Sequence, residues 1–279
     1  MSDPNPMGDP NQEAIRQEAI QLTRHAGVAT ITLNRPKVMN ALTPDLFSEL
    51  GRCFDEVAGH PDDRVLVLTG CGEAFCAGAD LRNTGDQTQR ITQGPIGRQQ
   101  FTREMLLPAL KLHRLPKPTI AAVNGVAAGG GCNLALGCDV VFAGQSARFA
   151  QVFVNRGLAV DYGGTWLLPR LIGLQKAKDL AFRGDTIDSQ EALSLGLALE
   201  VVPDDRLMER VNEYARVLAR KPPIALSHIK TGMNRLMDSS FEDGLEFEAD
   251  AQATCLGSND FRAAVIAWLK KTEGEYTGE

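Results

Sequence analysis

Residues 119–132, TIAAVNGVAAGGGC, run a short apolar segment straight into a turn with three consecutive glycines, and then into a stretch that reads as a helix. This order is restrictive: a buried strand must end and a helix must begin within a few residues. Glycine also adopts backbone conformations closed to other residues, and three in a row leave amides that no side chain shields. At the start of a helix such amides act as anion receptors. A similar order occurs earlier, where Val28–Leu33 (VATITL) and residues 65–69 (VLVLT) are β-branched apolar runs closed by Asn-Arg-Pro and Gly-Cys-Gly. Between them Thr43 is a good N-cap, Pro44 suits a first turn, and Leu46, Phe47, Leu50, Phe54 and Val57 recur at helical spacing. After the three-glycine turn the spacing predicts a helix over 131–136 and a strand over 139–142.

From about residue 190 the pattern predicts helices only, over 191–195, 204–219, 224–237 and 241–254, punctuated by Gly196 and Pro222-Pro223. The expected organisation is a mobile tail at 1–18, an α/β core at 19–190 and a helical region at 191–279. With 29 basic against 35 acidic side chains and no long run of either sign, nucleic acid is not an expected partner. The polar, proline-rich start and the lack of any apolar stretch of about 18 residues predict a cytoplasmic protein with no membrane partner. None of the six cysteines pairs at the two-residue spacing of zinc or redox motifs, so all are read as packing residues and no metal is expected.

A second glycine-bearing turn, Phe75-Cys-Ala-Gly-Ala-Asp-Leu81, also follows a strand. Either turn alone is as well explained by the need for a tight bend. A dinucleotide fingerprint does not fit, because the turn at 75–81 lacks GxGxxG spacing and no ribose-binding acid follows the turn at 124–132.

Taken together, AFCAGADL, KPTIAAVNGVAAGGGC and GGTWLLPRLIG, in this order, resemble the enoyl-CoA hydratase/isomerase (crotonase) family, from about Leu22 to Glu279. The resemblance implies a spiral of ββα units with a helical C-terminal trimerisation region, assembled as a homotrimer or dimer of trimers. It implies an acyl-CoA substrate and no cofactor, coenzyme A being part of that substrate. The backbone amides of Ala79 and Gly130 would form an oxyanion hole for the thioester oxygen. Coenzyme A would lie along Met39 to Ala41 and Ala77, Asp80 and Leu81. Lys37 is either a phosphate contact or an ordinary solvated lysine.

The departures from the family pattern narrow the chemistry. Hydratases of the family carry two water-activating glutamates, where this chain has Asn133 and Phe153, and neither an amide nor a phenyl ring is a general base. Asp161, in GLAVDYGGTW, aligns with the catalytic aspartate of dienoyl-CoA isomerases, of 4-chlorobenzoyl-CoA dehalogenase and of ring-1,2-epoxyphenylacetyl-CoA isomerases. The dehalogenase's histidine falls on Leu106, and the dienoyl isomerases' second acid falls on Phe153. One carboxylate remains, which points to isomerisation of an unsaturated or epoxidised acyl-CoA, with Asn133 positioning substrate and Phe153, Val154 and Trp166 as candidates to line an acyl pocket. A turn or N-cap role for Asp161, a polar helix position for Asn133 and helix-core packing for Trp166 are the plainer readings. A hydratase with non-standard acid/base residues, a catalytically retired binding subunit and an RNA-binding relative are the alternatives, the last disfavoured by the acidic charge.

Overall fold

The structure, a computed structural model, describes residues 19–82 and 94–279; the tail expected at 1–18 lies outside the described residues. Two strands open the fold as a hairpin, β1 (Ile20–His25) and β2 (Val28–Leu33), paired antiparallel with Ile20 opposite Leu33. Its two-residue link, Ala26-Gly27, has positive φ at both positions (49° and 79°), the backbone twist that a tight hairpin demands. Helix α1 (Pro44–Gly59) follows, with the Thr43 side chain accepting a hydrogen bond from the Leu46 amide and the predicted apolar stripe buried.

The chain then repeats one unit. A long strand enters a first sheet, a short strand enters a second, and a helix leads onward: β3 (Val65–Gly70), β4 (Ala74–Cys76) and α2 (Gly94–Arg114); β5 (Thr119–Val123), β6 (Val126–Ala128) and α3 (Gly130–Leu136); β7 (Val140–Gly144), β8 (Arg148–Ala150) and the pair α4 (Gly164–Ile172) and α5 (Leu174–Arg183). Parallel pairing stacks each unit on the one before, with Leu66 beside Thr119 and Ile120 beside Val140 in the first sheet. In the second, Ala74 lies beside Val126 and Val126 beside Arg148. The result is the ββα spiral. Strand β9 (Thr186–Asp188) closes the second sheet antiparallel to β8, and helix α6 (Ser189–Leu195) follows it.

The expectation of helices alone after residue 190 needs correction. Strand β10 (Glu200–Val202) pairs parallel with β7 at the edge of the first sheet, giving the order β1-β2-β3-β5-β7-β10. Three residues carry too little periodicity to be read in isolation, and the exposed sheet edge supplies what they lack. Helix α7 (Leu207–Ala219) then covers the outer face of the sheet: Leu207, Val211 and Ala215 pack on Val65, Val67, Ile120 and Phe142. The alternate residues Leu66, Leu68, Ala121 and Val123 face the inner core with α1. Both faces are therefore buried, which is why the strands read as continuous apolar runs. The boundary expected at residue 190 thus cuts through one packed layer. Helices α8 (Pro223–Arg235), α9 (Phe241–Gly257) and α10 (Asn259–Lys270) complete the helical C-terminal region and leave Phe241 and Trp268 about four-fifths exposed, at 84% and 78%. Helices α2, α5 and α10 were not anticipated; in α2, Pro108 interrupts an apolar stripe that includes Met105, Leu106, Ala109 and Leu112.

Candidate active site

Because β4, β6 and β8 are parallel neighbours, the segments leaving their C-terminal ends lie side by side, as ligand-binding loops do in parallel sheets. The first is the turn from Ala77 to Leu81. Its position is fixed by a single parallel bridge: the Leu42 amide donates to Gly78 O (2.8 Å) and the Asp80 amide donates to Leu42 O (2.9 Å). Strand alternation then turns the N–H of Ala79 away from Leu42. The second segment is the glycine run, where Gly130 is the first helical residue of α3 and its N–H has no acceptor within the helix.

Two glycines let these segments touch. At Gly78, with φ of 85°, a Cβ would stand 2.8 Å from Ala128 O and 3.3 Å from Gly130 N. At Gly131 a Cβ would collide with the Cys76 carbonyl. Any side chain at either position would push the two turns apart.

The third segment carries Asp161. It lies in the loop before α4, where Tyr162 (φ 52°) and Gly163 (φ 85°) are both left-handed. Asp161 Oδ1 is 3.7 Å from the point where Gly130 would carry a Cβ, so the carboxylate stands over the glycine turn. Among the described residues it has neither a cation nor a hydrogen-bond donor, and burial raises its pKa to about 6. The residue keeps exposed surface and lines a cavity of about 520 Å³.

That cavity gathers ten of the residues singled out from the sequence. Lys37, Met39 and Ala41 come from the loop after β2; Ala77, Ala79, Asp80 and Leu81 from the first glycine turn; Gly130, Phe153 and Asp161 complete the wall. Asp80 is not a free acid. Burial acts to raise its pKa, but backbone and side-chain hydrogen bonds from Arg82, with the charges of Arg82 and Arg35, hold it below the ordinary carboxylate range.

Asn133, also singled out, does not line this cavity but a second one. Its side chain is fully buried, donates from Nδ2 to the Asp161 carbonyl (2.7 Å) and accepts at Oδ1 from Gln151 Nε2 (2.8 Å). Val154 is half-exposed and does not line the cavity. Trp166 lines a second, apolar cavity of about 390 Å³ between α2 and α4, with the His113 ring edge-on at 5.2 Å and the Arg170 guanidinium 4.0 Å from its centroid. Sequence reading missed Phe101, Thr102 and Met105, which α2 contributes to the main cavity, and Leu106 and Tyr162, which line both cavities. The helical spacing of Met105, Leu106, Ala109 and Leu112 was the available signal for α2. The thiols of Cys76, Cys132 and Cys138 are buried, which pushes their pKa values up to about 12 and makes them inert at neutral pH.

An oxygen held between two amides, beside a carboxylate able to exchange a proton near neutral pH, suits enolate chemistry at a carbonyl. Comparison with known proteins agrees with this class. The family model described as Enoyl-CoA hydratase/isomerase matches residues 23–279, and the chain belongs to that family. It is 38% identical over 254 residues to the 1,2-epoxyphenylacetyl-CoA isomerase of Escherichia coli K12, covering 91% of this chain and 96% of that protein. It is also 40% identical over 253 residues to a probable enoyl-CoA hydratase of Rhodobacter capsulatus, covering 90% and 95%. The crystal structure of an enoyl-CoA hydratase from Bacillus anthracis superposes with a TM-score of 0.87 at 32% identity, over 94% of this chain and all of that one. The fold is therefore the crotonase fold, and the protein is an enzyme of the hydratase/isomerase family.

Proposed function

We propose that this enzyme isomerises an unsaturated or epoxidised acyl-CoA, with Asp161 as the proton shuttle and the amides of Ala79 and Gly130 as the oxyanion hole. The observation that carries this reading is the unpaired Asp161 carboxylate, with a pKa of about 6, poised over the Gly130 turn. Among the described residues, the other acid on the cavity wall, Asp80, is neutralised by two arginines. At the two positions where hydratases keep their glutamates, Asn133 is buried behind the Asp161 loop and Phe153 presents a ring.

In a 3-enoyl thioester, Asp161 removes a proton from C2 and the electron pair moves onto the thioester oxygen, where two N–H groups hold the enolate. The electrons return through the double bond, C4 takes the proton back from Asp161, and a 2-enoyl thioester results. The same groups suit isomerisation of an epoxidised acyl-CoA, and the Escherichia coli relative is named a 1,2-epoxyphenylacetyl-CoA isomerase. Coenzyme A would run past Met39, Ala41, Ala77 and Leu81 with Lys37 near its phosphates, and no separate cofactor enters the reaction. A trimer or dimer of trimers would cover the exposed apolar residues of α9 and α10.

The test is Asp161→Asn, which keeps size and hydrogen bonding while removing basicity. Conversion of 3-enoyl-CoA to 2-enoyl-CoA, and of 1,2-epoxyphenylacetyl-CoA to its oxepin isomer, should slow by about 100- to 10,000-fold, with little change in KM. Wild-type turnover by the variant on either substrate refutes the assignment.

A further inference from the structure

We propose that Asn133 and Gln151 form a positioning relay, two buried amides in series that fix the Asp161 carbonyl and thereby aim its carboxylate. The inference rests on the reading of Asp161 as the proton shuttle.

The Asp161 carbonyl accepts twice, from Asn133 Nδ2 (2.7 Å) and from the Gly164 amide (3.0 Å). A carbonyl oxygen only accepts, so the nitrogen of Asn133 must face it. Asn133 Oδ1 is thereby directed at Gln151, which must present its own nitrogen (2.8 Å). The orientation of each amide dictates the next. Asn133 and Gln151 are fully buried and neither lines the cavity that holds the carboxylate, although Asn133 borders the second cavity; their hydrogen bonds meet the site at the Asp161 carbonyl. Gly164 permits the approach, because a Cβ there would collide with Asn133 Nδ2.

The loop has a reason to need such a hold. Tyr162 is left-handed without glycine's freedom, and the Asp161 peptide is the last point at which the chain can be fixed before that bend. A core designed for stability alone would place an apolar side chain at 133, because a buried amide is costly unless its donors and acceptors are met. An ionised glutamate has no donor for the Asp161 carbonyl, so an acid at 133 would leave that carbonyl to the Gly164 amide alone.

The experiment uses Asn133→Leu, which removes the donor at similar size without adding charge, Gln151→Met, and the pair combined. Turnover and KM are measured with 3-enoyl-CoA across about pH 5 to 9, and the Asp161 carboxyl is titrated by isotope-edited infrared spectroscopy, its band identified by subtraction of the Asp161→Asn spectrum. Asn133→Leu should lower kcat by about 10- to 100-fold while KM stays within about twofold, the usual cost of a misplaced catalytic group. The Asp161 pKa should fall from about 6 toward the ordinary 3.8 as the loop opens to water. Gln151→Met should lower kcat about threefold, and the double variant should be no worse than Asn133→Leu, as expected of residues acting in series. Wild-type kcat in Asn133→Leu, strictly additive losses, or an unmoved Asp161 carboxyl overturns the proposal. Should Asn133→Leu fail to fold, Gln151→Met decides by the same kcat and infrared criteria. If Asp161→Asn keeps full activity, the proton-shuttle reading falls, and the infrared titration still decides whether the relay places the carboxyl.

Discussion

Replacing Asp161 by Asn should stabilise the protein as well as slow it, and only above a definite pH. In the folded chain the Asp161 carboxyl holds its proton to about pH 6, against an ordinary value of 3.8, because burial disfavours the charged form. Between those values the native state binds more protons than the unfolded state. Stability therefore falls as pH rises through 3.8 to about 6, and the full cost persists above it. Complete burial would make that cost about 3 kcal/mol. The carboxylate opens into the cavity, where water screens its charge, and about 1 kcal/mol is the reasonable remainder. Asparagine carries no charge and escapes the cost. Urea unfolding of both proteins at intervals from about pH 4.5 to 8 should show a variant advantage that grows to about pH 6 and then stays level near 1 kcal/mol, a rise of roughly 2 to 4 °C in Tm for a domain this size. An advantage that does not vary with pH, or a loss of stability at pH 8, refutes the argument, because either means that Asp161 is not held at a desolvated position. A gain in stability at the expense of turnover is the mark of a residue kept for chemistry.

Three further outcomes are expected. Crotonyl-CoA should be hydrated weakly or not at all, and formation of 3-hydroxybutyryl-CoA at about 1 to 1,000 per second defeats the argument from Asn133 and Phe153. Gly78→Ala should destabilise the fold by about 1 to 3 kcal/mol, since it places a Cβ 2.8 Å from Ala128 O at a φ of 85°. By moving Ala79 away from Gly130 it should also lower kcat by about 100-fold, the measured scale for losing one oxyanion donor, so an unchanged kcat removes Ala79 from the oxyanion hole. Light scattering at micromolar concentration should give the mass of a trimer or hexamer, and a stable monomer leaves the exposed Phe241 and Trp268 without the partner assigned to them.

Much of the fold was legible because its elements are locally encoded. Thr43 and Pro44 announce α1, the β-branched runs announce β2, β3 and β5, and the glycine turns announce where strands stop, since each signal acts within a few residues. Strands β4, β6, β8, β9 and β10 were not legible. Each is three residues long, and its extended form is decided by the neighbour it pairs with. Helix α2 was hidden for a different reason, the proline within it, and with it went the α2 wall of the main cavity.

The sequence by itself determined which groups are available: two glycine turns with unshielded amides, one carboxylate at 161, and no acid at 133 or 153. Backbone amides and functional groups are properties of residue type and need no partner to be recognised. Only the tertiary structure decided how they meet. Parallel pairing of β4 with β6 brings Gly78 against Gly130, and burial then raises the pKa of Asp161, an effect of surrounding protein that no local pattern encodes. It also decided that Asn133 turns away from the cavity to hold the carbonyl of Asp161, because a hydrogen bond between residues far apart in the chain exists only once the spiral has closed.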